Sequence, residues 1–331
     1  MRRSGVLELS QIYAPVQEDL AKVESQLRSV CQVDFPRLAE LLSYILSGGK
    51  GIRPALTLLV GKFYRYDIER LVLMATAIEL LHTATLVHDD AIDNSSTRRG
   101  RPTINYLWGE DRAVLLGDYL FAKAGEFATA TGNLRVIMLF SQTLRTISSG
   151  ELAQTFDAFN REQTRDHYFE RISCKTASLF ATATESGATL SQAPEASIEI
   201  LREYGYNLGI AFQIVDDILD FVGTEKEMGK PIGSDLVQGT LTLPAMLLLE
   251  RYPKDNPVAK LFRNRGMPEA EKQEKIRQAI ELVRGSPIVK ECFAVAADYS
   301  AKACSRLNLL PDSPSCQALK DLADLVINRR K

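Results

Sequence analysis

Residues 71–93 read LVLMATAIELLHTATLVHDDAID, an apolar run that ends in three aspartates. The apolar residues recur at helical spacing on more than one face, which predicts a helix in the interior of a large bundle. Asp89 and Asp93 lie four residues apart, so on a helix they share one face and repel each other. Because Asn94 and the serines after it signal the end of the helix, both carboxylates also face the negative pole of the helix dipole. This double penalty indicates a bound cation.

The same form recurs at Asp216-Asp217-Ile218-Leu219-Asp220, where another apolar stretch ends shortly before Gly223. We name Asp89, Asp90 and Asp93 the first cluster, and Asp216, Asp217 and Asp220 the second cluster. Mg²⁺ is the ion that suits carboxylate, water and phosphate oxygens. A single cluster is also compatible with a solvated acidic helix end. Two matching clusters favour a metal site.

The composition describes an ordinary globular chain. It has 331 residues, 45% of them hydrophobic and 25% charged, and a net charge of −2, which argues against a nucleic-acid surface. The five cysteines form no CxxC pair, and the first residues lack the apolar core of a signal peptide, so we expect a cytoplasmic protein. Glu79 and His82 interrupt the longest apolar run, which argues against a membrane span.

Spacings of three and four between apolar residues predict an all-α fold, a large helical bundle around a central cavity. No low-complexity linker divides the chain, so residues 1–331 are expected to form one domain. The predicted helices are roughly 10–31, 35–47, 53–63, 68–94, 110–131, 134–158, 165–190, 195–222, 240–251, 269–283, 288–308 and 314–328. In such a bundle the two clusters are expected to face each other across the cavity.

Basic residues gather at breaks in the helical pattern. Lys50 and Arg53 lie in the segment GGKGIRP, and Arg98-Arg99-Gly100-Arg101 follows the first cluster. Arginine forks and lysine ammonium groups bind phosphate, and glycines let the backbone approach it. Each basic segment alone is also typical of a solvated surface. Beside the carboxylates, and with His82 on the face of Asp89, they indicate a diphosphate site.

These residues resemble the trans-type polyprenyl diphosphate synthases, all-α prenyltransferases that extend an allylic diphosphate with isopentenyl diphosphate. The resemblance covers nearly the whole chain. The matching pieces are Gly48 to Pro54, Glu79 to His82, Asp89 to Arg99, Gly117 to Leu120, Gly150-Glu151, Lys175-Thr176, Gln213, Asp216 to Asp220, Gly229 to Pro231 and Ser234 to Leu236.

The resemblance implies a role for each matching side chain. The residues implied to bind isopentenyl diphosphate are Lys50, Arg53, His82 and Arg99. Those implied to bind the allylic diphosphate are Arg98, Lys175 and Lys230, while Thr176 and Gln213 flank the reacting carbons. The main ligands of Mg²⁺, expected at three ions per site, are Asp89, Asp93 and Asp216, and the clusters are completed by Asp90, Asp217 and Asp220.

The family also implies partners. It implies a homodimer, for which helix 110–131 is a candidate contact, although the active chain of a heterodimer is an open alternative. Contact with a membrane is expected to be peripheral at most, for product release. One departure is Thr240, where many relatives have lysine, and we expect altered diphosphate affinity there. A terpene cyclase and a non-catalytic partner subunit are less consistent with the two intact clusters.

Product length is predicted from the helix of the first cluster. Going back from Asp89, the residues Thr85, Ala84, Leu81 and Ile78 are expected to line the path of the growing tail. Because Ala84 and Thr85 are small, we expect long products, hexaprenyl to decaprenyl, with a geranylgeranyl product as the shorter alternative. Phe140 is a candidate for the floor of this path, although a phenylalanine of the general core is the commoner role.

Overall fold

The computed structural model describes residues 8–224, 231–264 and 266–328, and their regular structure is almost entirely helical. The prediction of an all-α fold is therefore confirmed. The helices of the first half are α1 (Leu9–Ile12), α2 (Gln17–Val30), α3 (Pro36–Ile45), α4 (Ile52–Gly61), α5 (Ile68–Ile92), α6 (Ile104–Trp108), α7 (Glu110–Ala130) and α8 (Leu134–Phe156).

The second half is built in the same way. It contains α9 (Arg165–Ile172), a π-helical segment (Ser173–Ala177), α10 (Ser178–Leu190), α11 (Glu195–Val222), α12 (Ser234–Gln238), α13 (Leu243–Arg251), α14 (Pro257–Arg263), α15 (Glu269–Arg284), α16 (Ile288–Cys304) and α17 (Pro314–Ile327). Short 3-10 turns occur at Ala14–Val16 and Leu307–Leu309.

Local chemistry explains where several helices begin. The side chain of Asp67 accepts a hydrogen bond from Arg70 N at the start of α5, and Asn133 accepts one from Val136 N at the start of α8. Ser313 does the same for Cys316 N at the start of α17. Each cap satisfies a backbone donor that the first turn of a helix leaves without a partner.

The predicted boundaries need five corrections, one of which is that helix 288–308 ends at Cys304, before the 3-10 turn at Leu307–Leu309. Helix 10–31 is broken by the 3-10 turn at Ala14–Val16, where Pro15 has no N–H for a continuous helix. Helix 165–190 contains the π-helical segment. The short helices α6, α12 and α14 were not predicted, because one or two turns give too few residues for a periodic pattern. Helix 240–251 begins only at Leu243, with Pro244 in its first turn.

A small hairpin was also missed. Strand β1 (Thr97–Arg98) pairs antiparallel with β2 (Arg101–Pro102), and Arg98 faces Arg101 in the register. The turn residues Arg99 and Gly100 have φ angles of 52° and 74°. Both are left-handed, as a two-residue turn of type I′ requires. The hairpin turns the arginine-rich segment back toward the end of α5.

Helix α5 runs through the interior of the fold, where it packs against α2, α4, α7 and α10. Leu71, Met74, Ile78 and Leu81 are among its fully buried side chains. By length and composition α5 passes as a membrane span, yet 67% of its most apolar stretch is buried within the fold. That burial is typical of the core helix of a globular protein.

The buried apolar side chains form two clusters that share α11. The larger one gathers residues of α2, α4, α5, α7, α8 and α17, together with the first part of α11, including Leu201 and Leu208. The smaller one gathers residues of α9 and α12 to α16 around the second part of α11, including Ile214 and Ile218. The second aspartate cluster lies on this second part of α11.

Candidate active site

The π-helical segment Ser173–Ala177 is fixed between two helices by glycines. A Cβ atom at Gly150 of α8 would lie 2.6 Å from the Cβ of Cys174, and one at Gly209 of α11 would lie 2.6 Å from the Cα of Ala177. Only glycine permits backbones to approach so closely. Single π turns are frequent at functional sites. This one carries Lys175 and Thr176, two of the predicted site residues.

Lys175 joins the first cluster. Its Nζ lies 3.2 Å from Oδ2 of Asp89 and 2.7 Å from Oε1 of Glu151. Burial alone would lower the pKa of Lys175, but the carboxylates of Asp89 and Glu151 raise it above the ordinary value. The lysine is therefore a permanent cation held between two carboxylates.

The other aspartates of the first cluster are buried or half-buried. Nε of Arg98 donates to both carboxylate oxygens of Asp90, each at 2.8 Å. Burial raises the pKa of Asp90 to about 6, although Arg98 opposes this shift. Burial also raises the pKa of Asp93, which Lys175 opposes and the charge of Asp89 increases. The carboxylates here thus outnumber the cationic side chains, Lys175 and Arg98, that pair with them.

Thr176 joins the second cluster through a chain of hydrogen bonds. Its hydroxyl donates to Oε1 of Gln213 at 2.6 Å, and Nε2 of Gln213 donates to Oδ1 of Asp217 at 2.8 Å. The other oxygen of Asp217 accepts a hydrogen bond from the hydroxyl of Tyr168 at 2.7 Å. Burial, followed by the nearby charge of Asp235, raises the pKa of Asp217 to about 7. Of two neighbouring residues of the π-helical segment, Lys175 therefore contacts the first cluster, and Thr176 is linked to the second cluster through Gln213.

Both carboxylate oxygens of Asp220 accept hydrogen bonds from the first residues of α12. Oδ1 accepts a hydrogen bond from Ser234 Oγ at 2.9 Å, and Oδ2 accepts one from the N–H of Asp235 at 3.2 Å. Its backbone oxygen also accepts from the N–H of Gly233 at 2.9 Å. These contacts make Asp220 an anchor for the segment after α11.

Two predicted residues lie near α12 in the sequence. Lys230 lies outside the described residues. Thr240 follows α12, and its N–H donates to the carbonyl of Asp235 at 2.8 Å. The expectation of altered diphosphate affinity at Thr240 stays a prediction.

A second group of charges surrounds Arg53 and Glu79. The guanidinium of Arg53 lies 4.6 Å from the ring centre of Phe180, and its buried Nε has no hydrogen-bond partner. Burial lowers the pKa of Arg53 to about 10, which Glu79 and then Asp216 oppose. Burial raises the pKa of Glu79, which Arg53 and Arg99 oppose. The charge of Asp216 therefore acts on this group.

His82 belongs to the same group. Burial and then the charges of Arg53 and Arg99 lower its pKa well below the ordinary value, so the ring is neutral at physiological pH. Lys50 is exposed, and its carbonyl accepts a hydrogen bond from the hydroxyl of Tyr13 at 3.1 Å. Arg99 is exposed at the hairpin tip. This cationic group, with one orphaned guanidinium donor, is suited to an anionic ligand.

The predicted tail path lies in the core. Ala84, Leu81 and Ile78 are fully buried, Phe140 is 6% exposed, and all four belong to the larger apolar cluster. The hydroxyl of Thr85 is bound to the carbonyl of His82 at 2.8 Å. At 3.6 residues per turn, Thr85 and Ile78 lie within about 40° of Asp89, whereas Ala84 is about 140° round the helix. The residues thus form a broad band on one side of α5, and not the narrow stripe that we expected.

Some side chains of the site were not assigned a role from the sequence. Glu79, Glu151 and Asp235 lie in segments that match the family, so their acidic side chains were an available signal. Tyr168 had no such signal. Its contact with Asp217 joins α9 to α11, and this pairing depends on the tertiary fold.

The donor set is compatible with a divalent ion that keeps most of its ligands from water and phosphate. Among the described residues, no three His, Cys, Asp or Glu side chains converge into a ready protein-made metal cage. Mg²⁺ usually takes only one or two carboxylates together with substrate oxygens. The half-buried Asp93, whose pKa is raised by burial, is the kind of carboxylate that such an ion would stabilise.

Comparison with known proteins identifies the family. The model of the polyprenyl synthetase family matches residues 35–283. Heptaprenyl diphosphate synthase component 2 of Geobacillus stearothermophilus is 38% identical over 325 residues, which cover 98% of this chain and 99% of that protein.

Solved structures agree. A polyprenyl synthase from Caulobacter crescentus, crystallised with calcium and isoprenyl diphosphate, has a TM-score of 0.91 at 33% identity, and the match covers 100% of both chains. A decaprenyl diphosphate synthase from Rhodobacter capsulatus has a TM-score of 0.89 at 36% identity, covering 98% of this chain and 100% of that one. The chain belongs to the polyprenyl synthetase family and is a prenyltransferase with the all-α fold of that family.

Proposed function

We propose that this prenyltransferase condenses isopentenyl diphosphate with an allylic diphosphate, farnesyl or geranylgeranyl, to give a long-chain all-trans polyprenyl diphosphate. One observation carries the proposal. Lys175 pairs with Asp89 of the first cluster, while the next residue, Thr176, is bonded through Gln213 to Asp217 of the second. The π-helical segment thus links the two clusters, which supports one diphosphate bound between them.

The allylic diphosphate is assigned to the space between the clusters. Lys175, with its raised pKa, stays charged and stabilises the departing diphosphate, so that the allylic C–O bond can ionise. Nε of Arg98 donates to Asp90, and a guanidinium has further N–H donors that can bind phosphate oxygens. Lys230 is proposed as a third cation at this site.

Thr176 and Gln213 are proposed to lie beside the reacting carbons. Their hydrogen bonds fix the direction of both groups, since the threonine hydroxyl donates to the amide oxygen and the amide nitrogen donates to Asp217. The lone pairs of the Thr176 oxygen then remain to stabilise positive charge on the allylic carbons. The chain needs no nucleophile, because the double bond of isopentenyl diphosphate attacks the cation and a proton is then lost to the released diphosphate.

Isopentenyl diphosphate is assigned to Lys50, Arg53, His82 and Arg99. The orphaned Nε of Arg53 and the neutral ring of His82 are donors in a site where two arginine charges are already close together. A diphosphate would relieve the repulsion between those charges. Positioning by these side chains converts the condensation into a reaction between bound neighbours.

We propose that Asp89, Asp93 and Asp216 hold Mg²⁺, three ions per site, with Asp90, Asp217 and Asp220 orienting the clusters. The solved relative is complexed with calcium and isoprenyl diphosphate, which supports a requirement for a divalent ion. When bound, such ions neutralise charge on the diphosphate and make it a better leaving group.

A long product is proposed from the relatives and from α5. The heptaprenyl and decaprenyl synthases cited above match nearly all of this chain. Small side chains at Ala84 and Thr85 leave the band above Asp89 without an aromatic block, and Phe140 is proposed as its floor. A geranylgeranyl product is the shorter alternative.

The proposed assembly is a homodimer through α7 and α8. These helices expose large apolar side chains, which favour an interface. They are Val114, Leu115, Leu134, Met138, Leu152 and Phe156. The relative named component 2 supports a heterodimer as the alternative, in which this chain is the catalytic subunit. We place the protein in the cytoplasm, with at most peripheral membrane contact.

Incorporation of labelled isopentenyl diphosphate tests the proposal. Purified chain is incubated with the label, farnesyl diphosphate and MgCl₂, and label is extracted into butanol. We expect incorporation that requires both primer and metal, that is lost with EDTA, and that falls by about 100-fold or more in Asp216→Ala. Asp298→Ala, at an exposed carboxylate of α16, is the matched control. Conversion of farnesyl diphosphate alone into a hydrocarbon would indicate a cyclase instead.

A further inference from the structure

Glu151 is an acidic neighbour of the first cluster on a separate helix. It lies on α8, its side chain is 17% exposed, and Oε1 is 2.7 Å from Nζ of Lys175. Burial raises the pKa of Glu151, which Lys175 opposes and Asp89 increases. Glu151 therefore belongs to the charged groups of the site.

The backbone brings Glu151 to this place. The preceding residue, Gly150, packs directly on Cys174, where a Cβ atom would come within 2.6 Å of the cysteine Cβ. Because glycine permits that approach, α8 and the π-helical segment touch at adjacent pairs of residues. Gly150 faces Cys174, and Glu151 faces Lys175. The ion pair is thus built into the contact between two elements.

The two carboxylates that pair with Lys175, those of Asp89 and Glu151, differ in their other interactions. Asp89 shares its helix face with Asp93, and both are assigned to the metal and diphosphate. When a ligand engages Asp89, Glu151 is the carboxylate that remains for the ammonium. A lysine side chain has several rotatable bonds, and ordering it costs conformational entropy. A fixed partner on a separate helix lowers the number of positions that the ammonium explores.

We propose that Glu151 is a positioning residue, which holds the Lys175 ammonium against the allylic diphosphate while Asp89 is engaged by the ligand. The inference rests on the proposed function, since it takes Lys175 as the cation of the allylic site. It predicts a selective defect. Loss of Glu151 weakens binding of the allylic diphosphate and slows its ionisation. It leaves the KM for isopentenyl diphosphate unchanged.

The test compares Glu151→Gln and Glu151→Asp with Glu126→Gln. The control removes a glutamate whose Oε2 lies 2.6 Å from Nζ of Lys123, an ion pair on the surface of α7. Binding of the unreactive analogue farnesyl thiolodiphosphate with Mg²⁺ is measured by calorimetry, and turnover is measured with farnesyl diphosphate. Glu151→Gln is expected to weaken binding about tenfold and to lower kcat at least as much. Glu151→Asp is expected to recover part of the loss, and Glu126→Gln to match the wild type.

A double-mutant cycle separates positioning from a general structural role. If Glu151 acts through Lys175, adding Glu151→Gln to Lys175→Gln changes little more, so the two effects are far from additive. Additive effects, or wild-type binding in Glu151→Gln, would overturn the inference. If Glu151→Gln loses its cooperative melting, the same cycle is run with Glu151→Asp. Failure of the wild type to elongate any primer counts against the proposed function, while analogue binding still reports on Glu151.

Discussion

His82 shows how its surroundings set the charge of a single side chain. It lies on the face of Asp89, yet burial and the nearby arginines keep its ring neutral. From the sequence, the shared face was predictable by counting residues, but the protonation was not. It depends on Arg53 and Arg99, which come from other segments of the chain.

This depressed pKa predicts how stability depends on pH. Below about pH 6.5 the unfolded chain protonates His82 while the folded chain does not, so acidification favours unfolding. His82 therefore contributes stability that is present above pH 6.5 and is lost as the pH falls toward the folded pKa. We therefore expect the difference in melting temperature, His82→Gln minus wild type, to increase as the pH is lowered from 7 to 5.

Calorimetric melting of both proteins across this range checks the expectation. His167→Gln is the matched control, because His167 is exposed and its ring accepts a hydrogen bond from Thr164 N that glutamine can also accept. Melting curves of His82→Gln that run parallel to the wild type at every pH would contradict the account.

At the scale of elements, predictability follows from where the deciding contacts lie. Helix α5 was predictable because its apolar pattern and the stop after Asp93 are local. The π-helical segment was not, since its shape depends on Gly150 and Gly209 of two other helices. The clusters themselves were visible in the chain. That Asp220 is occupied by α12 was not, because its partners follow after fourteen and fifteen residues.

The band on α5 predicts product length. An added aromatic ring at Thr85 or Ala84 would block the proposed path along the band, so Thr85→Phe and Ala84→Phe are expected to shorten the product by at least one isoprene unit. Phe140→Ala removes the proposed floor and is expected to lengthen it. Chromatography of the products, with Ala301→Phe on the exposed side of α16 as the control, measures both effects. Identical product lengths in all these variants would contradict the proposal that α5 determines product length.

At the scale of the whole molecule, α11 unites the two apolar clusters, and we propose that residues 1–331 form a single domain. The first part of α11 packs in the larger apolar cluster. The second part of α11, which carries Asp216 and Asp217, packs in the smaller apolar cluster. The fold class was predictable from periodicity throughout the chain. The assembly was not, because exposed apolar residues on α7 and α8 are compatible with either a second copy or a different subunit.

The central claim is that this one chain builds a long prenyl chain between two aspartate clusters. The most direct measurement uses the purified chain alone, with Mg²⁺, isopentenyl diphosphate and farnesyl or geranylgeranyl diphosphate, followed by chromatographic sizing of the products. The account predicts all-trans products of six to ten isoprene units. Folded protein that elongates neither primer, or that stops at geranylgeranyl diphosphate, would contradict it.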